Sequence, residues 1–146
     1  MPRIERSAEV VWEGNLARGG GRISGATGAF TDLPYSLPTR VGNPDGKTSP
    51  EELLASAHGG CLTMSVAGEL SQAGTPPTRI ETTCRIVMDE VEGEGHQIVA
   101  SNVTITVDAE GASDDDVAAA LERGDASCPF STLLRKAGVR VSITRA

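Results

Sequence analysis

Apolar and polar residues alternate along several short segments of the chain, and this is the pattern of β-strands with one buried face. We expect two short strands within residues 22–30 and 34–40. A Gly-rich turn at residues 93–95 predicts that the strands on either side of it pair antiparallel. The strands with the clearest alternation are predicted at Ala8–Glu13, Arg79–Asp89, Ile98–Val107 and Val139–Thr144.

A long helix is predicted in the middle of the chain. Ser49 is a capping residue, Pro50 suits the first helical position, and Glu52 stands at the third, as in a capping box. The helix should run from Pro50 to about Gln72 and end at Gly74. Its apolar residues are distributed around the whole circumference, which predicts burial on most sides. They are Leu53, Leu54, Ala57, Leu62, Met64, Val66 and Ala67.

Two further helix starts follow the predicted hairpin. Ser113 with its three following acids begins one helix, and Ser127-Cys128-Pro129 begins another that ends near Gly138. Strands, a long helix, more strands, a helical segment and a last strand make an α+β protein. We expect residues 1–146 to form a single domain.

Composition limits the classes of partner. The net charge of −7 argues against non-specific binding to nucleic acid and to anionic lipid, since both need a basic face. Apolar runs long enough for a signal peptide or a membrane-spanning helix are not seen. The sequence therefore predicts a cytoplasmic protein without a nucleic-acid or membrane partner.

Three cysteines do not resemble the disulfide framework of a secreted protein, so each is a buried small residue or a reactive thiol. Cys61 follows Gly59-Gly60 inside the long helix, where each glycine costs about 1 kcal/mol relative to alanine. Such glycines indicate that space is needed beside the helix backbone. Either tight packing around a buried core cysteine or a reactive site at Cys61 would explain them. Cys128 precedes Pro129 at a helix N-terminus, where a thiolate is stabilised. The alternative is an N-cap with a buried sulfur.

A metal site is not favoured by the spacing of the possible ligands. His58 and Cys61 lie one helical turn apart, and His96, in a predicted turn, with the other cysteines would have to complete the site. We therefore interpret His58 as a hydrogen-bonded core residue. Arg40 follows a predicted strand, where it is either a surface cation or a group that lowers a thiol pKa.

The order and spacing of several motifs resemble the OsmC/Ohr family of osmotically inducible and organic hydroperoxide resistance proteins. The resemblance extends along nearly the whole chain and is most specific around the two cysteines. The matching segments are Val11-Trp12-Glu13-Gly14, Pro38-Thr39-Arg40, Thr48-Ser49-Pro50-Glu51-Glu52-Leu53-Leu54, Ala57-His58-Gly59-Gly60-Cys61-Leu62-Thr63-Met64 and Cys128-Pro129-Phe130-Ser131.

The resemblance implies a site and an assembly. It implies a peroxidatic Cys61 and a resolving Cys128, which form a disulfide, together with an activating Arg40 and Glu51. Arg18 is the second candidate for the arginine, and Pro38-Thr39 before Arg40 favours the OsmC-like branch. It also implies antiparallel sheets packed around a long central helix in an intertwined homodimer with active sites at the interface.

The implied activity is the thiol-dependent reduction of organic hydroperoxides in oxidative or osmotic stress. Such proteins use no metal or prosthetic group, only an external thiol, dithiol or lipoyl-type reductant. Cys84 has no counterpart in the motifs, and its role stays open. Two other functions also stay open, namely a non-catalytic redox sensor or small-molecule-binding protein on the same fold and a structural dimer with inert cysteines.

Overall fold

The chain divides into two compact units, of which the first ends at Pro50 and the second comprises Glu51–Ala146. The computed structural model describes residues 2–146. The expectation of a single domain stays a prediction. The first unit contains the strands β1 (Ala8–Glu13), β2 (Gly20–Gly25) and β3 (Leu33–Tyr35) and the short helix α1 (Leu37–Val41).

The first unit is built on an antiparallel sheet of order β1-β2-β3. β2 ends at Gly25, and the chain then turns through Gly28, whose φ of +81° favours glycine. The prediction of a strand over residues 34–40 is wrong beyond Tyr35. Ser36 accepts a hydrogen bond from the Thr39 N–H at 3.3 Å, which caps a helix instead. Arg40 consequently lies on α1, not at the end of a strand.

The second unit contains a sheet of order β4-β5-β6, in which β4 and β5 form the predicted antiparallel hairpin. β6 pairs parallel with β5, so the expectation of purely antiparallel sheets is wrong for this strand. The helical connection after β5 reverses the chain direction and makes a parallel partner possible. His96 lies in β5 rather than in a turn. The strands are β4 (Arg79–Val91), β5 (Gly95–Asp108) and β6 (Arg140–Arg145).

Three longer helices accompany this sheet, at the places the capping residues predict. Ser113 and Asp116 form a reciprocal capping box at the start of one, and Gly74, with a φ of +83°, follows the end of another. Among residues 2–146, none of the helices has the length and apolar character needed to cross a bilayer. The helices are α2 (Pro50–Gln72), α3 (Asp114–Ser127) and α4 (Pro129–Lys136).

The core of the second unit lies along one stripe of α2. His58, Leu62, Val66 and Leu70 are four residues apart, so they share a face, and each is fully buried. The apolar members of the stripe pack against Val103, Ile105 and Ala120. Met64 is 77% exposed, so the prediction that α2 is buried on most sides, with Met64 among its buried residues, is wrong at this position of the single chain. It lies two residues, or roughly 200° around the helix, from Leu62.

Candidate active site

Cys61 and Cys128 lie side by side where α2 meets the start of α4. Cys61 is half-buried in the middle of α2, and Cys128 is fully buried immediately before α4. Both thiols are free, and Cys61 packs against the buried cluster that contains Cys128. The fold therefore brings together two cysteines that are distant in the sequence. Two thiols in contact can close a disulfide with little movement of the backbone.

The N-terminus of α4 places backbone N–H groups near these two sulfurs. The N–H of Ser131 donates to Cys128 Sγ at 3.5 Å, which makes Cys128 the N-cap of the helix. The backbone N–H of Phe130 acts to lower the pKa of the Cys61 thiol. Pro129 fits the first helical position because it has no N–H to satisfy. Free N–H groups and the helix dipole at this end stabilise negative charge on sulfur.

The Cys61 thiol nevertheless has a raised pKa. The largest cause is burial, followed by the neighbouring Cys128 side chain and its charge. The Phe130 N–H and the Ser65 side chain act in the opposite direction. In the isolated chain the surroundings of Cys61 therefore favour the neutral thiol. A cation beside the sulfur would offset this effect and favour the thiolate.

His58 lies one helical turn before Cys61 and joins two buried serines. Its Nδ1 lies 2.6 Å from Ser101 Oγ, and its Nε2 lies 2.8 Å from Ser131 Oγ. All three side chains are fully buried. Burial is the main cause of a lowered His58 pKa, so the imidazole is neutral, with one nitrogen donating and the other accepting. His58 is the hydrogen-bonded core residue that the sequence predicts.

Cys84 extends this network toward a surface cleft. Its Sγ lies 3.3 Å from Ser101 Oγ and 3.8 Å from His58 Nδ1. A Cβ on Gly59 would lie 3.2 Å from the Cys84 Cβ, which explains why α2 has a glycine there. Gly60 has open space around it, so close packing accounts for only one of the two glycines. The adjoining cleft of about 500 Å³ includes Glu52, Ser56, Gly59, Gly60, Thr63 and Cys84 in its lining.

The two candidate arginines line different pockets of the first unit. Arg40 lines a small cavity of about 220 Å³, and Arg18 lines an open cleft of about 640 Å³. The cavity beside Arg40 has apolar walls, in which Trp12 and Tyr35 pack edge to face at 5.6 Å between ring centroids. Its other lining residues are Leu16, Ser36 and Leu37. Arg40 thus lies beside a largely apolar wall. A charged group next to an apolar surface suits the binding of an amphipathic molecule.

Glu51 belongs to the first turn of α2, ten residues before Cys61. The helix continues without interruption through the two glycines at positions 59 and 60. At about 1.5 Å per residue, the two positions are separated by roughly 15 Å along the axis. The structure does not bring Glu51 and the Cys61 of the same chain together.

Ser101 and Ser131 are the site residues that the sequence did not single out. Ser131 could have been found from its position in the sequence. It is the third residue of the helix that Cys128 caps, and the N–H at this position points toward the side chain of the capping residue. Ser101 is a polar residue on a buried strand position, and such a residue needs a partner. Within residues 2–146, no group of three or more His, Cys, Asp or Glu side chains is arranged to hold a metal ion.

Comparison with known proteins identifies relatives in sequence and in structure. The family model described as OsmC-like protein matches residues 42–144. Peroxiredoxin OsmC of Escherichia coli is 32% identical over 132 residues, which are 90% of this chain and 91% of the relative. The solved organic hydroperoxide resistance protein OsmC of Legionella pneumophila superposes with a TM-score of 0.74 at 17% identity, covering 99% of both chains. OhrB of Bacillus subtilis gives 0.72 at 19% identity, covering 96% of this chain and 98% of OhrB.

These matches agree with the resemblance found in the sequence motifs. The solved structures confirm the predicted α+β fold, because they superpose over almost the full length of the chain. The family model and the Escherichia coli relative establish the family independently of the fold. The chain belongs to the OsmC-like protein family.

Proposed function

We propose that this protein is a thiol-dependent peroxidase that reduces organic hydroperoxides to alcohols in oxidative or osmotic stress defence. The observation that carries the proposal is the pair of free thiols of Cys61 and Cys128, which pack together at the N-terminus of α4. The names of the relatives support it. One is called a peroxiredoxin, and two solved structures are called organic hydroperoxide resistance proteins. The reaction needs no metal or prosthetic group, only an external thiol, dithiol or lipoyl-type reductant.

The proposed cycle has three steps. The Cys61 thiolate attacks the terminal peroxide oxygen, the O–O bond breaks, and the alkoxide leaves as the alcohol after taking a proton, so that Cys61 becomes a sulfenic acid. The Cys128 sulfur then attacks the Cys61 sulfur, water leaves, and a Cys61–Cys128 disulfide remains. A dithiol reductant exchanges with this disulfide, is itself oxidised, and restores both protein thiols.

Arg40 and Glu51 have supporting roles in this proposal. Because burial raises the Cys61 pKa, the site needs a cation to populate the thiolate, and Arg40 supplies it. Glu51 fixes the guanidinium through a charge-assisted hydrogen bond. The apolar cavity beside Arg40 receives the organic part of the peroxide. Arg18 is the second candidate for the cation.

The proposed active protein is a homodimer. Glu51 is roughly 15 Å along the helix axis from the Cys61 of its own chain, and it serves instead the Cys61 of a second chain. Exposed apolar side chains, including those of Val10, Val11, Leu16 and Met64, are available for such an assembly. A two-fold dimer would build two equivalent sites from both chains.

A turnover assay tests the proposed function. We expect steady consumption of cumene hydroperoxide with a dithiol reductant, at a kcat/KM at least about tenfold above that for hydrogen peroxide, because burial of the organic tail stabilises the transition state. Consumption is followed by loss of peroxide and by oxidation of the dithiol. Formation of the disulfide without repeated turnover would indicate a redox sensor instead. Equal kcat/KM values for both peroxides would contradict the assignment of organic substrates.

A further inference from the structure

The hydrogen bond between His58 and Ser131 runs parallel to the cysteine pair. His58 lies three residues before Cys61 on α2, and Ser131 lies three residues after Cys128 at the start of α4. The same two elements are therefore joined twice, one turn apart. One contact is between the thiols, and the other is the 2.8 Å hydrogen bond from His58 Nε2 to Ser131 Oγ.

We propose that His58 and Ser131 are positioning residues that hold the Cys128 end of α4 against α2 for closure of the Cys61–Cys128 disulfide. This inference rests on the proposed function for its biological meaning, but the contact itself is present in the reduced chain. The Oγ of Ser131 bonds to His58, while its backbone N–H donates to Cys128 Sγ. One residue thus connects the imidazole on α2 with the sulfur at the start of α4.

The rest of the network keeps the imidazole in place. Ser101 on β5 bonds to the opposite nitrogen of His58 at 2.6 Å, so the ring is held between the sheet and α4. All three groups are fully buried, and water does not compete for their hydrogen bonds. We infer that the His58–Ser131 hydrogen bond is held more completely when the Cys61–Cys128 disulfide ties α4 to α2. By linkage, the disulfide and this hydrogen bond then stabilise each other.

Two serine variants separate positioning from general stability. Ser131→Ala and Ser101→Ala each remove one buried hydroxyl that bonds to the His58 imidazole, but only Ser131 lies on α4. Ser131→Ala also keeps the N–H that caps Cys128. The readout is the equilibrium of the full-length protein with glutathione and glutathione disulfide, which gives the effective concentration of the Cys61–Cys128 pair without any peroxide.

We expect Ser131→Ala to lower this effective concentration by a factor of about 5 to 10, and Ser101→Ala by less than about twofold. Denaturant unfolding of the reduced proteins should show similar losses of stability for both. The variants Ser131→Thr and Ser131→Val give a second comparison, because they differ mainly in the hydroxyl. The threonine variant should keep the higher effective concentration.

Equal losses in Ser131→Ala and Ser101→Ala, no loss in Ser131→Ala, or a gain in it would overturn the positioning role. So would equal values for the threonine and valine variants at position 131. The proposed peroxidase function fails in a different way, namely when the wild type does not consume peroxide. The glutathione equilibrium would then still decide whether His58 and Ser131 position the disulfide.

Discussion

Replacement of Cys61 by serine is expected to abolish peroxide consumption, by a factor of more than about 1,000, because no thiolate remains to attack the peroxide oxygen. Cys84→Ser is the matched control. Cys84 is also half-buried in the second unit and contacts α2 at Gly59, but it is not part of the Cys61–Cys128 pair. We expect the control to keep most of the turnover, measured with cumene hydroperoxide and a dithiol.

Cys128→Ser should behave differently from both of these variants. Its Cys61 can still react once with peroxide, but without a resolving thiol the sulfenic acid persists or is oxidised further to the sulfinic acid. Mass spectrometry of the intact protein would therefore show oxygen added to one thiol and no disulfide. Wild-type turnover in Cys61→Ser, or loss of turnover in Cys84→Ser, would contradict the assignment.

Mixing two inactive homodimers is expected to restore activity, because the proposed site combines Glu51 of one chain with Cys61 of the other. The uninterrupted α2 keeps these groups roughly 15 Å apart within one chain. After subunit exchange between Glu51→Ala and Cys61→Ser, half of the dimers are mixed, and each mixed dimer has one intact site. Recovery should therefore approach about a quarter of wild-type activity.

The control for the mixing experiment is Glu52→Ala, which removes the neighbouring carboxylate and should be active without mixing. Subunit exchange is confirmed separately, with two differently tagged chains. No activity beyond the sum of the parents, once exchange is confirmed, would refute the cross-chain role of Glu51. It would leave the cysteine chemistry untouched, because that chemistry requires only one chain.

Local sequence signals predicted those elements whose ends are fixed by neighbouring residues. Pro50 and Gly74 mark the limits of α2, and Ser113 marks the start of α3. The helix α1 was missed because an extended pattern over residues 34–40 outweighed the cap at Ser36. The parallel pairing of β6 was missed because strand direction depends on how the chain returns to the sheet, which alternation does not encode.

The candidate site was only partly predictable for the same reason. The residue pattern singled out Cys61 and Cys128 one at a time, but only the family resemblance paired them. Their contact results from packing α4 against α2, a tertiary event that no local spacing specifies. The bonds from His58 to Ser101 and Ser131 likewise join residues more than 40 positions apart in the sequence.

Mapping of the oxidised cysteines tests the central claim most directly. The wild-type protein is treated with one equivalent of cumene hydroperoxide, free thiols are alkylated, and the peptides are identified by mass spectrometry. We predict a Cys61–Cys128 bridge within one chain and alkylation of Cys84, because Cys61 already packs against the cluster that contains Cys128. A dominant Cys61–Cys84 bridge, or three alkylated cysteines after the peroxide has been consumed, would contradict the claim that Cys128 resolves the oxidised Cys61.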